Sequence, residues 1–174
     1  MGRAKAAAGT FTFLIIAPGV VTGYLPWLIT GWRPGNSRPA ALVLLGAILT
    51  AAGCFVLLQA FAQFVLEGIG TPAPLAPTKH LVIRGLYRYV RNPMYLALQA
   101  IILGQALLLA RPVLVVYAAA VAAATVAFTR LYEQPTLARQ YGDEYQAYRR
   151  DVPAWWPRRP RRSERPEQGE DSQQ

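Results

Sequence analysis

Residues 93–129 read PMYLALQAIILGQALLLARPVLVVYAAAVAAATVAFT, and the one charged side chain in the stretch is Arg111. An apolar run lies on each side of it, Pro93–Ala110 and Pro112–Thr129. Each is at the lower limit of the ~20 residues that a helix needs to cross a bilayer. Proline is tolerated in the first turn of a helix, where its missing N–H breaks no bond. Arg111-Pro112 therefore reads as the tight corner of a helical hairpin. Neither run has a polar face, which argues against two buried helices of a soluble bundle. The far ends of the hairpin, Asn92-Pro93 and Arg130–Glu133, then return to one face of the membrane.

Two further apolar windows lie upstream, Thr10–Gly31 and Ala40–Leu66. Of the 174 residues 53% are hydrophobic, and they are bunched rather than spaced with amphipathic period, which argues against a soluble globular domain. The expected fold is all-α: an integral membrane bundle of about four transmembrane helices, followed by a cytoplasmic C-terminal amphipathic segment. Arg3 and Lys5 resemble the n-region of a signal peptide. The apolar run after them is long and holds Pro18 and Pro26, so a retained first helix is expected. Lys and Arg cluster in the N-terminal tail, at Lys79, Arg84, Arg88 and Arg91, and from Arg130 to Arg165. Arg33, Arg38 and Arg111 are the fewer on the other side. That bias places the chain as a multi-pass protein of the cell inner or plasma membrane with both termini cytoplasmic. Cys54 has no intrachain partner and is expected to be a small core residue. One His and one Cys, far apart, make no metal site. Residues 1–157 form the membrane domain. Residues 158–174 form a disordered basic tail that rests on anionic lipid rather than nucleic acid.

Chemistry concentrates at the hairpin's open end. An ionised residue at a helix centre costs roughly 2.5–3.5 kcal/mol on insertion scales, so charge at helix ends suggests a polar pocket at the membrane face. Residues 68–78 (GIGTPAPLAPT) read as a loop. The basic, aromatic stretch His80–Tyr95 (HLVIRGLYRYVRNPMY) follows, interfacial over Leu81–Tyr89, with Asn92 as helix cap and Pro93 as first helical residue. Beyond the hairpin, Glu133–Arg150 reads as polar helix interrupted near Gly142. Tyr141, Tyr145 and Tyr148 are packing or interfacial rings, and Trp155 and Trp156 suit the headgroup belt. The pocket between these segments holds cations, an amide, aromatic rings, one carboxylate and the N–H groups of a helix start. It suits a mixed-charge ligand with an aromatic part and contains no Ser–His or Cys–His pair.

GLYRYVRNPMY (Gly85–Tyr95), EQPTL (Glu133–Leu137), YGDEYQAY (Tyr141–Tyr148) and Val152-Pro153 together resemble the isoprenylcysteine carboxyl methyltransferase family, which is related to membrane phospholipid N-methyltransferases. The resemblance covers residues 81–157. It implies S-adenosylmethionine as methyl donor at the cytoplasmic face and a lipophilic acceptor that arrives through the membrane. It further implies cofactor contacts from His80, Leu81, Val82, Tyr87, Arg91, Asn92, Pro93, Met94, Tyr95 and Glu133. Arg130 would face the acceptor, so Arg130 and Glu133 become the catalytic candidates. The chain departs from the family pattern where Lys79 aligns with a histidine, where Asn92 replaces a frequent histidine, and where Gln134 replaces the second of two glutamates. Loss of that second carboxylate weakens the case for a general base, which an amine acceptor needs and a carboxylate acceptor does not. The first expectation for the acceptor is thus the carboxylate of an isoprenoid-like molecule, and the second a phospholipid amine. A non-catalytic scaffold or transport accessory retaining the fold is the reading from a different class.

Overall fold

The computed structural model describes residues 16–67 and 83–158, and every regular element among them is helical. Helix α1 spans Ile16–Thr30. It is followed by α2 (Ala40–Glu67), α3 (Pro93–Leu109), α4 (Val113–Phe128) and α5 (Gln134–Asp151). A 3₁₀ turn, Gly85–Arg88, precedes α3, and a π-helical turn, Thr129–Glu133, joins α4 to α5. The N-terminal tail, the 68–78 loop, His80, Leu81, Val82 and the basic tail beyond Arg158 lie outside the described residues.

The apolar runs become helices close to where the sequence places them. The polar segment after α4 is a direct extension of it: α4, the π turn and α5 form one helix of 39 residues, Val113–Asp151. The break near Gly142 is present, with a left-handed φ of 50° that favours glycine. Both α2 and this long helix are long and apolar enough to cross a membrane, and α1 and α3 are shorter apolar helices. Leu44, Phe55 and Val116 are exposed by 63, 63 and 69%. In water such a surface would be a liability; against lipid it is the ordinary exterior of a membrane bundle. Cys54 belongs to that exterior and not to the core as expected, because it sits beside Phe55 on the outward face of α2.

The corner of the hairpin is built as the sequence suggests. Ala110 takes a left-handed conformation, φ 49° and ψ 47°, and the Arg111 N–H donates back to Ala106 O at 3.0 Å. This closes the end of α3 in the usual manner of a helix C-terminus. Helix α4 then starts after Pro112.

The main packing is α2 on α3, at backbone distance. A Cβ on Gly46 would lie 2.6 Å from the Leu108 nitrogen, and one on Gly53 would lie 3.0 Å from Ala97 O. A Cβ on Gly104 would collide with the Thr50 hydroxyl and come within 2.9 Å of Gly46 O. Where lipid is as apolar as the side chains, helix association rests on such close van der Waals approach.

Helix α1 docks by a different means. It contains a π turn, Val20–Tyr24, in which the Leu25 N–H donates to Val20 O, and Pro26 follows. Leu25 is thus spent and Pro26 has no N–H, so Val21 O lacks a helical donor and Thr22 O loses its i+4 donor. Tyr117 of α4 donates its hydroxyl to Val21 O at 2.7 Å, and Gln105 of α3 donates its amide to Thr22 O at 2.6 Å. Both side chains, polar in otherwise apolar helices, thus have a defined carbonyl to serve.

Gly104→Ala should destabilise the protein in detergent micelles by about 1–3 kcal/mol, the usual cost of overpacking. Gly23→Ala, whose added Cβ meets nothing within 4 Å, should be neutral or slightly stabilising. Thermal unfolding of both variants checks the contrast.

Candidate active site

At the open end of the hairpin, Tyr95 and Glu133 meet. Proline disfavours the helical region for the residue before it, and Asn92 accordingly sits at φ −118°, ψ 54°. Helix α3 starts there, and Tyr95 lies in its first turn. From the other side, the π turn after α4 buries Thr129 and leaves Glu133 half-buried. The Tyr95 hydroxyl donates to Glu133 Oε2 at 2.9 Å. Arg91 stands close enough for its charge to act on Glu133, and its Nη1 lies 3.5 Å from the Tyr145 hydroxyl.

The C-terminal strap closes over this pair. Tyr148 donates its hydroxyl to Tyr87 O at 2.7 Å. The Arg91 N–H donates to Pro153 O at 2.9 Å, and the Arg158 N–H donates to Tyr89 O at 3.0 Å. Asn92 Nδ2 donates to Ala154 O at 3.1 Å. Asn92 therefore makes no side-chain cap to α3, contrary to the sequence expectation, because its amide is used to hold the strap. The Trp155 ring packs on Tyr95, centroids 6.3 Å apart, whereas Trp156 is 82% exposed.

Glu133 lies beyond the membrane-spanning part of α4. Burial raises its carboxyl above the usual carboxylate range, opposed by the Tyr95 hydrogen bond, by Thr129 and by the Arg91 charge. Burial likewise raises the Tyr148 and Tyr145 phenols, which stay neutral donors at physiological pH. Arg91 Nε, a buried donor beside Glu133, has no hydrogen-bond partner among the described residues, and the buried Thr129 hydroxyl faces Glu133 and Tyr95. Buried polar groups are nearly always paired, so an orphaned guanidinium nitrogen beside a half-buried acid makes this end of the hairpin the candidate site.

The other sequence candidates scatter. Tyr87 is buried against Ala60, with Leu86 and Met94 packed around it. Pro93 is fully buried and forms part of an apolar groove of about 480 Å³ with Gly53, Val56, Val90 and Ala97. Neither Tyr95 nor Glu133 lines that groove, so it is separate from the polar site. Arg130 is exposed and is not among the charges acting on Glu133. His80, Leu81 and Val82 lie outside the described residues. Thr129, Tyr145, Tyr148 and Trp155 were not singled out as site residues from the sequence. The spacing of the tyrosines was visible, but a threonine ending an apolar run carries no local signal.

A family model described as phospholipid methyltransferase matches residues 41–144. The match runs from the start of α2 into α5 and so includes both members of the Tyr95–Glu133 pair. No curated protein and no solved structure matches the chain.

Because burial raises the Glu133 carboxyl, the folded chain holds that proton more tightly than the unfolded chain. Its contribution to stability therefore falls as pH climbs from the unfolded value toward the raised one. The melting temperature of Glu133→Gln minus that of the wild type should grow between about pH 4 and about pH 7. A flat difference would show that the carboxyl is not desolvated.

Proposed function

The chain belongs to the phospholipid methyltransferase family, and on that premise we propose that it transfers a methyl group from S-adenosylmethionine to a lipophilic acceptor at the membrane face. The observation that carries this reading is the half-buried Glu133 carboxylate held by the Tyr95 hydroxyl at 2.9 Å, with Arg91 Nε an unpartnered buried donor beside it. The residues fit the donor molecule. Arg91 and Thr129 would hold its carboxylate, and the Tyr95 and Trp155 rings suit a neighbouring cation, worth ~0.5–2 kcal/mol. Glu133 Oε2 accepts from Tyr95, and the carboxylate has further acceptor capacity for a ribose hydroxyl, an amino group or the acceptor. When bound, the cofactor supplies an electrophilic methyl group on sulfur.

The acceptor that best matches this chemistry is a phospholipid amine. An ammonium has no lone pair to attack with. Glu133 takes its proton, leaving a neutral amine, and a carboxyl that burial pushes upward is suited to keep that proton. One carboxylate therefore serves as base without the second acid that Gln134 replaces. The carboxylate of an isoprenoid-like molecule is the second reading, favoured by the unpartnered Arg91 guanidinium nitrogen, which would pair with it. In either case the protein is a multi-pass membrane protein, with the site and both termini on the cytoplasmic face, consistent with the Lys and Arg distribution.

Calorimetric titration of the full chain in micelles with S-adenosylmethionine should give saturable binding. Thr129→Val, which removes one hydroxyl at nearly constant volume, should weaken it by about tenfold. Absence of saturable binding, or indifference to this substitution, would overturn the reading. Transfer of labelled methyl into an extracted lipid pool should be slowed at least about tenfold by Glu133→Gln for an amine acceptor. For a carboxylate acceptor, already nucleophilic, the rate should change little.

A further inference from the structure

The end of the bundle opposite Glu133 gathers three arginines. Helices α1 and α3 end there and α2 and α4 begin there, so the 31–39 link and the 110–112 corner meet. Their backbones touch: the Gly35 N–H donates to Leu109 O at 2.7 Å, and a Cβ on Gly35 would lie 2.8 Å from Ala110 O. Arg33 and Arg38 stand on the link, and Arg111 stands on the corner. The sequence has no Asp or Glu from residue 1 to 66 or from 68 to 132. Glu67 is at the other end of α2, and Glu133 at the other end of the hairpin. No carboxylate on either corner offsets the three charges.

Two of the arginines staple the link to the end of α3. Arg111 Nε donates to Arg33 O at 2.9 Å, and Arg38 Nη1 lies 3.5 Å from Leu108 O. A guanidinium has five N–H donors, so each staple leaves most of them for an outside acceptor. The exposed Arg33 side chain runs along Gly31, its Nε 3.8 Å from where a Cβ would stand, and it makes no hydrogen bond among the described residues. Tyr24, Trp27 and Trp32 are exposed by 54, 47 and 56% at the same end. Such rings settle at headgroup depth.

Three cations held together repel one another unless an anion lies among them. A phosphate diester is the anion present at headgroup depth, and guanidinium groups bind phosphate oxygens in paired, charge-assisted hydrogen bonds. A zwitterionic lipid brings its own ammonium to such a site; an anionic one leaves a net charge to offset the arginines. We propose that Arg33, Arg38 and Arg111 bind the phosphate of an anionic phospholipid in the leaflet opposite Glu133. The bound headgroup bridges the α1–α2 link and the hairpin corner, and so braces α1 against the hairpin. The proposal is independent of which molecule accepts the methyl group.

The test uses the full-length chain in micelles, with native mass spectrometry to measure retained phosphatidylglycerol against retained phosphatidylcholine. A basic residue at the surface contributes about fivefold in affinity for anionic lipid. Phosphatidylglycerol should therefore be favoured by about tenfold or more in the wild type. Arg33→Gln should cut that preference about fivefold, and it leaves both staples in place because Arg111 bonds the Arg33 main chain. Arg33→Gln combined with Arg38→Gln should remove most of the preference. It should also remove the rise in melting temperature that phosphatidylglycerol gives the wild type. The open end is basic too, so Arg149→Gln combined with Arg150→Gln, both exposed on α5, takes the same charge from that side as a control. The tightest phosphatidylglycerol should stay bound in that variant.

Equal retention of the two lipids by the wild type would overturn the proposal. A preference that survives Arg33→Gln but is lost in the α5 variant would place the anion at the open end and overturn it as well. Inorganic phosphate in excess at constant ionic strength should not displace the lipid, which its acyl chains hold in the micelle. Displacement would assign the arginines to a soluble anion and sink the lipid reading.

Discussion

A backbone carbonyl facing lipid has no water to bond, so it must find a donor within the protein. That requirement orders the few polar residues of this bundle. Gln105 and Tyr117 sit in apolar helices where each would otherwise be a cost, and each serves a carbonyl that a π turn and a proline have freed in α1. They fix the docking of α1 on the α3–α4 hairpin more specifically than apolar contact could. Dispersion does the rest: α2 and α3 approach until the glycines at 46, 53 and 104 have no room for a side chain.

The site depends on the hairpin's dimensions. Helix α3 has 17 residues and α4 has 16. At 1.5 Å per residue two helices of nearly equal length end level. The π turn carries Glu133 five residues past the end of α4, where the Tyr95 hydroxyl, from the first turn of α3, reaches it at 2.9 Å. The strap from Tyr145 to Arg158 then covers the pair with five hydrogen bonds to residues 87–92, two of them main-chain at both ends. The result is a carboxylate partly removed from water and supported by one phenol and one guanidinium, the arrangement in which a weak acid becomes chemically useful.

Much of the architecture was legible because it rests on local causes. Length of apolar run, a proline at a helix start and Arg111-Pro112 between two such runs are enough to place α2, α3, α4 and the corner. Gly142 announced its break for the same reason, since a left-handed φ favours glycine wherever it occurs. Residues whose role depends on a distant partner were misread or overlooked. Asn92 has the chemistry of a cap, yet its amide goes to Ala154, 62 positions away. Cys54 looks like core in a one-dimensional apolar run, and only the packing of α2 on α3 decides which face of α2 is outside. Thr129 ends an apolar run without a local signal, and only the packing places it, buried, beside Glu133.

Sequence alone settled that this chain is a helical membrane bundle with its polar chemistry at the open end of a hairpin. Hydrophobicity, proline and glycine act within a few residues of themselves, so they can be read without coordinates. Tertiary structure decided which of the many arginines and tyrosines at that end share an environment with Glu133. It also decided which carbonyls of α1 Gln105 and Tyr117 serve. Both depend on how helices distant in sequence are rotated against one another, and rotation is a property of packing that no single stretch of the chain encodes.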